Sequence, residues 1–124
     1  MARIFIVDDD PDVVDVCTLI LESEGHEITA AYNRDEGMQL LAQSTPDLLI
    51  LDVMMEQPDD GIAMAQELRK QKFSAPILML TSIAKATGFT FGRDDDIVPV
   101  DAFEEKPLEP RKLVSVVNTL LSKK

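Results

Sequence analysis

Ile4-Phe5-Ile6-Val7-Asp8-Asp9-Asp10-Pro11-Asp12 opens the chain with a short apolar run that breaks abruptly into acids. A second run, Leu48-Leu49-Ile50-Leu51, ends on Asp52. Both are short, nearly all apolar and bounded by polar residues or proline, the pattern of parallel strands buried on both faces. In a doubly wound sheet the reactive groups gather just beyond the carboxyl ends of the strands, so carboxylates from these two strands should meet at one edge. Their charges repel unless a cation lies between them, and a hard divalent ion with oxygen ligands is the natural choice. The reading is a Mg²⁺ site beside a reactive aspartate.

Working outward, strand and helix patterns alternate along the chain. Asp10 is placed to cap a helix with Pro11 at its first position, and Val13, Val16, Cys17 and Ile20 keep helical spacing until Gly25 stops it. Glu27–Ala31 reads as a weaker edge strand and Asp35–Ala42 as a helix with Met38 and Leu41 inward. Asp47–Leu51 is the third strand. Gly61–Lys70 is a helix turning Ile62, Ala65 and Leu68 inward, and Ile77–Leu80 is the fourth strand. Leu113, Val116, Val117, Leu120 and Leu121 share one face of a last helix, Pro110 to Ser122. Such alternation predicts an α/β fold with a parallel sheet covered by helices on both faces. The rhythm breaks between Thr81 and Lys106. Gly88, Gly92, Asp94-Asp95-Asp96 and Pro99 argue against a long helix there, and predict a short turn or loop before a strand near Ala102–Glu105.

Composition narrows the function. The 124 residues fit one domain with a real core. A formal charge of −11, from 12 basic and 23 acidic residues, disfavours nucleic acid and anionic membranes as partners. No apolar stretch reaches the ~20 residues of a membrane span. Cys17 is the only cysteine, which rules out an internal disulfide and suits a reducing, cytoplasmic setting. His26, following Gly25, is read as solvent-exposed.

These motifs together resemble the receiver domain of two-component response regulators. The acids after strand one, Asp52 after strand three, Thr81 after strand four and Lys106-Pro107 after strand five stand in that family's order across the whole chain. The resemblance implies a flavodoxin-like, doubly wound sheet of five parallel strands in the order 2-1-3-4-5, the order of chemotaxis receivers. The length of the chain predicts a single receiver domain over residues 1–124 with no effector domain, and the residues between Thr81 and Lys106 predict, against the family pattern, a fourth helix that is short or replaced by a loop. The resemblance also implies site roles. Asp52 is the phosphoacceptor, taking a phosphoryl group from a sensor histidine kinase or a phosphotransfer protein. Asp9 is a direct Mg²⁺ ligand, Asp8 acts through a bound water, and the Met54 backbone carbonyl is the third protein ligand. Thr81 and Ser82 contact the phosphoryl group, Lys106 neutralises one of its oxygens, and Phe103 is the switch aromatic. Signalling then proceeds through a downstream protein partner, not through catalysis on a substrate.

Competing readings weigh less. Helix capping explains Asp10 and Asp12 but needs neither Asp8 nor Asp9. A haloacid-dehalogenase-type phosphatase wants a second acid where Met54 stands, and an FMN carrier would be repelled by the aspartates. A degenerate receiver acting as a phosphorylation-independent binding module is the alternative. Intact Asp9, Asp52, Thr81 and Lys106 argue against it, while a longer interval from Thr81 to Lys106 with an eroded fourth helix keeps it open; a longer loop over Met55–Gly61 bears instead on access to the phosphoryl group. The Thr81–Lys106 interval carries Phe89 and Phe91, read either as partner-recognition residues or as side chains packed over the neighbouring core.

Overall fold

The computed structural model describes residues 2–52, 60–82, 102–106 and 109–122. Five strands run β1 (Arg3–Val7), β2 (Glu27–Ala31), β3 (Leu48–Asp52), β4 (Ile77–Ser82) and β5 (Ala102–Lys106). Four helices are described: α1 (Pro11–Glu22), α2 (Arg34–Gln43), α3 (Asp60–Lys70) and α4 (Pro110–Ser122). All strand pairs are parallel and the order is β2-β1-β3-β4-β5. The chain is therefore a doubly wound α/β fold of the flavodoxin-like type: the alternation of elements predicts the covered parallel sheet, and the receiver resemblance its strand order.

Strand alternation divides the core into two layers. Ile4, Ile6, Leu48, Ile50, Leu78 and Leu80 face α1 and α4, meeting Val14, Cys17, Leu21, Leu113, Val117 and Leu120. Phe5, Val7, Leu49, Leu51, Ile77 and Met79 face the other side, against Met64, Ala65 and Leu68 of α3 and the inner edge of α2. The three central strands are apolar on both faces because helices cover both. β2, at the edge, is only half-buried until Ala31.

Local chemistry sets the boundaries. Asp10 is the N-cap of α1 in extended backbone (φ −97°, ψ 107°) and its carboxylate accepts the Asp12 N–H at 3.0 Å. Pro11 occupies the first turn, where its missing N–H costs nothing. Gly25, at φ +88°, closes the other end, and the His26 N–H reaches back to the Leu21 carbonyl at 3.2 Å. α2 begins on a side-chain cap: the Glu36 N–H donates to Asn33 Oδ1 at 2.8 Å, while Glu36 Oε1 reaches back to accept the N–H of Tyr32, the residue before the cap, at 3.0 Å. At the α3–β4 corner, Arg69 Nη1 donates to the Phe73 and Ala75 carbonyls at 2.7 and 3.0 Å.

Three expectations need correction. Val16 is 46% exposed, not inward; α1 buries Val14, Cys17 and Leu21, with Val13 and Ile20 at the margins. Two adjacent apolar stripes were available on that helix, and contact with the sheet selects the one centred on Val14. His26 is half-buried rather than exposed, because its Nδ1 accepts the Ala2 N–H at 3.1 Å at the start of β1. β3 runs from Leu48 to Asp52, so Asp52 is the last residue of the strand, and Asp47 instead holds Arg3 through its carboxylate at 2.8 Å. Residues 55–59 of the longer loop, the fourth-helix segment and Phe89 and Phe91 lie outside the described residues.

A candidate phosphoryl and metal site at the sheet edge

The register explains why the acids converge. β1 and β3 are direct neighbours, with Val7 opposite Leu51, so Asp8 and Asp52 are the next pair along. Val7 and Leu51 both face the α2–α3 side. Alternation therefore turns Asp8 and Asp52 to the same opposite face, at the carboxyl end of the sheet. Asp9 follows in the loop. Carboxylate oxygens of Asp8, Asp9 and Asp52 all lie within 4.8 Å of one another.

Burial separates the three. Asp8 is 0% and Asp52 1% exposed, while Asp9 is open to solvent. Asp8 and Asp52 are the only buried polar or charged residues among the described ones. Asp8 does structural duty as well: its Oδ1 accepts the Asp10 N–H at 2.9 Å, and its own N–H donates to the Ala31 carbonyl at 3.1 Å. One oxygen is thus committed to the loop. The other, Oδ2, is buried with no hydrogen bond among the described residues, as is Oδ2 of Asp52.

This donor set fits a hard divalent cation. Oxygens sharing one Mg²⁺ at ~2.1 Å lie roughly 3–4 Å apart, a spacing the cluster can supply directly or through a bound water. Carboxylates are the oxygen ligands such an ion prefers, and an exposed Asp9 leaves the ion open to water and to an incoming anion.

The remaining predicted residues are placed by strand register. Asp52 lies opposite Leu80, Thr81 opposite Glu105, and Ser82 opposite Lys106. Thr81, Ser82 and Lys106 therefore stand at the same carboxyl edge as Asp52, one and two strands away. Phe103 is lower in β5, opposite Met79. Met54 lies outside the described residues. Sequence reasoning missed Gly37, the buried residue of α2, whose missing side chain lets the helix sit against Val7 beneath the site. It also missed the cap of α2, although Asn33 followed three residues later by Glu36 is its usual signal.

Comparison with known proteins agrees with this geometry. The model of the response regulator receiver domain family matches residues 4–118. Response regulator SaeR of Staphylococcus aureus is 32% identical over 127 aligned positions, covering 99% of this chain and 52% of SaeR, so the chain spans about half of that relative. Among solved structures, response regulator TrrA of Thermotoga maritima in complex with Mg²⁺ and BeF is 31% identical with a TM-score of 0.81, over 97% of this chain and 99% of that one. A putative response regulator from Chloroflexus aurantiacus is also 31% identical, with a TM-score of 0.81 over 98% of both chains. Family match, fold and acidic edge coincide, and the chain belongs to the response regulator receiver domains.

Proposed function

We propose that residues 1–124 act as one phosphoacceptor receiver, in which Asp52 takes a phosphoryl group from the histidine of a sensor kinase or phosphotransfer protein. The observation that carries this reading is the convergence of Asp8, Asp9 and Asp52 within 4.8 Å at the carboxyl edge of the sheet. An Asp52 carboxylate oxygen attacks phosphorus in line, the phosphorus–nitrogen bond breaks, and the imidazole leaves with that electron pair. Aspartyl phosphate results. The carboxylate is a weak nucleophile, so positioning and charge neutralisation supply most of the rate.

Asp9 and the Met54 carbonyl would hold Mg²⁺ directly and Asp8 through water; when bound, the ion neutralises phosphoryl oxygens and offsets the repulsion among the acids. Lys106 would add a compact positive charge from the β5 side. Thr81 and the Ser82 backbone N–H would receive the remaining oxygens, and movement of Thr81 with Phe103 would report the modified state to a downstream protein. The role is signalling, in keeping with the cytoplasm; no described helix is long and apolar enough to cross a membrane.

Acetyl phosphate with Mg²⁺, read by intact mass, tests the reading. The wild type should gain one phosphoryl group, and Asp52→Asn or omission of the metal should abolish the gain. Undiminished labelling of Asp52→Asn would refute Asp52 as the acceptor. A wild type that takes no label from acetyl phosphate or phosphoramidate would favour a phosphorylation-independent binding module.

A further inference from the structure

Gly37 lies buried in the first turns of α2, at its contact with β1. A Cβ built there would stand 2.9 and 3.0 Å from the two γ-methyls of Val7 and 2.9 Å from Cε of Met64. The two neighbours differ in how they can respond. Met64 offers the far end of a flexible chain, which swings away at little cost. Val7 is β-branched, 1% exposed and paired on both sides, to Ala31 in β2 and Leu51 in β3. Its side chain cannot retreat without moving the strand end. The next residue along is Asp8.

A second set of contacts ties the same helix to the same strand end. The Asp8 N–H donates to the Ala31 carbonyl at 3.1 Å, and the adjacent Tyr32 N–H donates to Glu36 of α2 at 3.0 Å. The Asn33–Glu36 cap then fixes where α2 starts. From these contacts we infer that Gly37 is a positioning residue for the metal site. α2, seated on Val7 through the missing side chain, sets the end of β1 and hence the spacing of Asp8 and Asp9 from Asp52. This rests on the metal reading of the acidic cluster, and goes beyond it by assigning the site's geometry to a helix that contributes no ligand.

Mg²⁺ alone is the probe, titrated by calorimetry into the wild type, Gly37→Ala, Val7→Ala, Gly37→Ala/Val7→Ala and Met64→Ala, with a thermal melt of each. Removing a group that orients a ligand directly costs about 10–100-fold in metal affinity, so Gly37→Ala, one step more remote, should weaken Mg²⁺ by roughly three- to tenfold. Shortening Val7 makes room for the new methyl, so the double variant should bind more tightly than Gly37→Ala. Met64→Ala opens a cavity in the same layer and should lower the melting temperature while leaving Mg²⁺ affinity near the wild-type value.

Affinity that merely follows melting temperature across the variants would overturn the inference, as would wild-type affinity in Gly37→Ala or failure of Val7→Ala to restore binding. Should Gly37→Ala not fold, the double variant decides: near wild-type binding upholds the role, and weak binding or failure to fold overturns it. A wild type that binds no Mg²⁺ overturns the metal reading itself, whereas intact wild-type binding with no effect at Gly37 overturns only this inference.

Discussion

Replacing Asp52 by Asn should stabilise the metal-free protein and remove its response to Mg²⁺. Asp52 takes part in two of the three carboxylate pairs of the cluster, Asp8–Asp52 and Asp9–Asp52, each within 4.8 Å. At that separation two unit charges repel by roughly 1 kcal/mol in water and by about 3 kcal/mol at an effective dielectric constant near 20. Asp9 is exposed, so the lower figure suits its pair; Asp8 is 0% exposed, so the higher one suits the other. The amide also gives up attractive contacts that the carboxylate makes, which offsets part of the gain. A net stabilisation of ~1–3 kcal/mol remains, a rise of roughly 4–12 °C in melting temperature for a domain of this size.

The metal acts on the two proteins to different extents. Mg²⁺ at ten times its dissociation constant should stabilise the wild type by about 1.4 kcal/mol, and the Asn variant far less. Melting curves with and without Mg²⁺ measure both effects. Because the screening length is ~10 Å in 0.1 M salt, well beyond this separation, the difference should survive moderate salt. An Asn variant less stable than the metal-free wild type, together with a wild-type melting temperature indifferent to Mg²⁺, would refute the repulsion argument.

Other outcomes follow from contacts away from the site. Arg69→Met keeps the aliphatic stem but strips two carbonyls of their donor, so it should cost about 1.5–3 kcal/mol in urea unfolding without altering Mg²⁺ affinity. His26→Leu removes the acceptor of the Ala2 N–H, and should cost about 1 kcal/mol with faster hydrogen exchange confined to the start of β1. Asn33→Ala, by deleting the α2 cap, should destabilise by ~0.5–2 kcal/mol and raise exchange in the first turn of that helix.

Periodicity and punctuation made the elements legible from the residues themselves. Runs such as Ile4–Val7 and Leu48–Leu51 are apolar throughout because both faces of a central parallel strand are covered, and few environments besides that one call for such a run. Asp10-Pro11 and Gly25 mark the ends of α1 through capping and a positive φ, both strictly local effects. The candidate site residues were legible for a related reason: a charge closing an apolar strand is costly unless something uses it. Asp8, Asp9 and Asp52 stood out on that ground, and the receiver pattern supplied Thr81, Ser82, Phe103 and Lys106.

Only the tertiary structure decided matters that depend on which elements touch. α1 carried two candidate apolar stripes one residue apart, and its contact with the sheet, not its sequence, turned Val16 outward and Val14 inward. His26 gained its role from Ala2, a residue 24 positions away that no local rule connects to it. Asp8 and Asp52 were separately visible, but their meeting on one face required the β1–β3 register, which pairs Val7 with Leu51. Nothing local marks Gly37 as needed, since glycine inside a helix costs up to ~1 kcal/mol relative to alanine. Its reason lies in β1 and α3, where packed side chains occupy the space a Cβ would need. Local chemistry writes the elements and their ends; long-range packing decides which of their faces are inside, because the neighbour that excludes water comes from elsewhere in the chain.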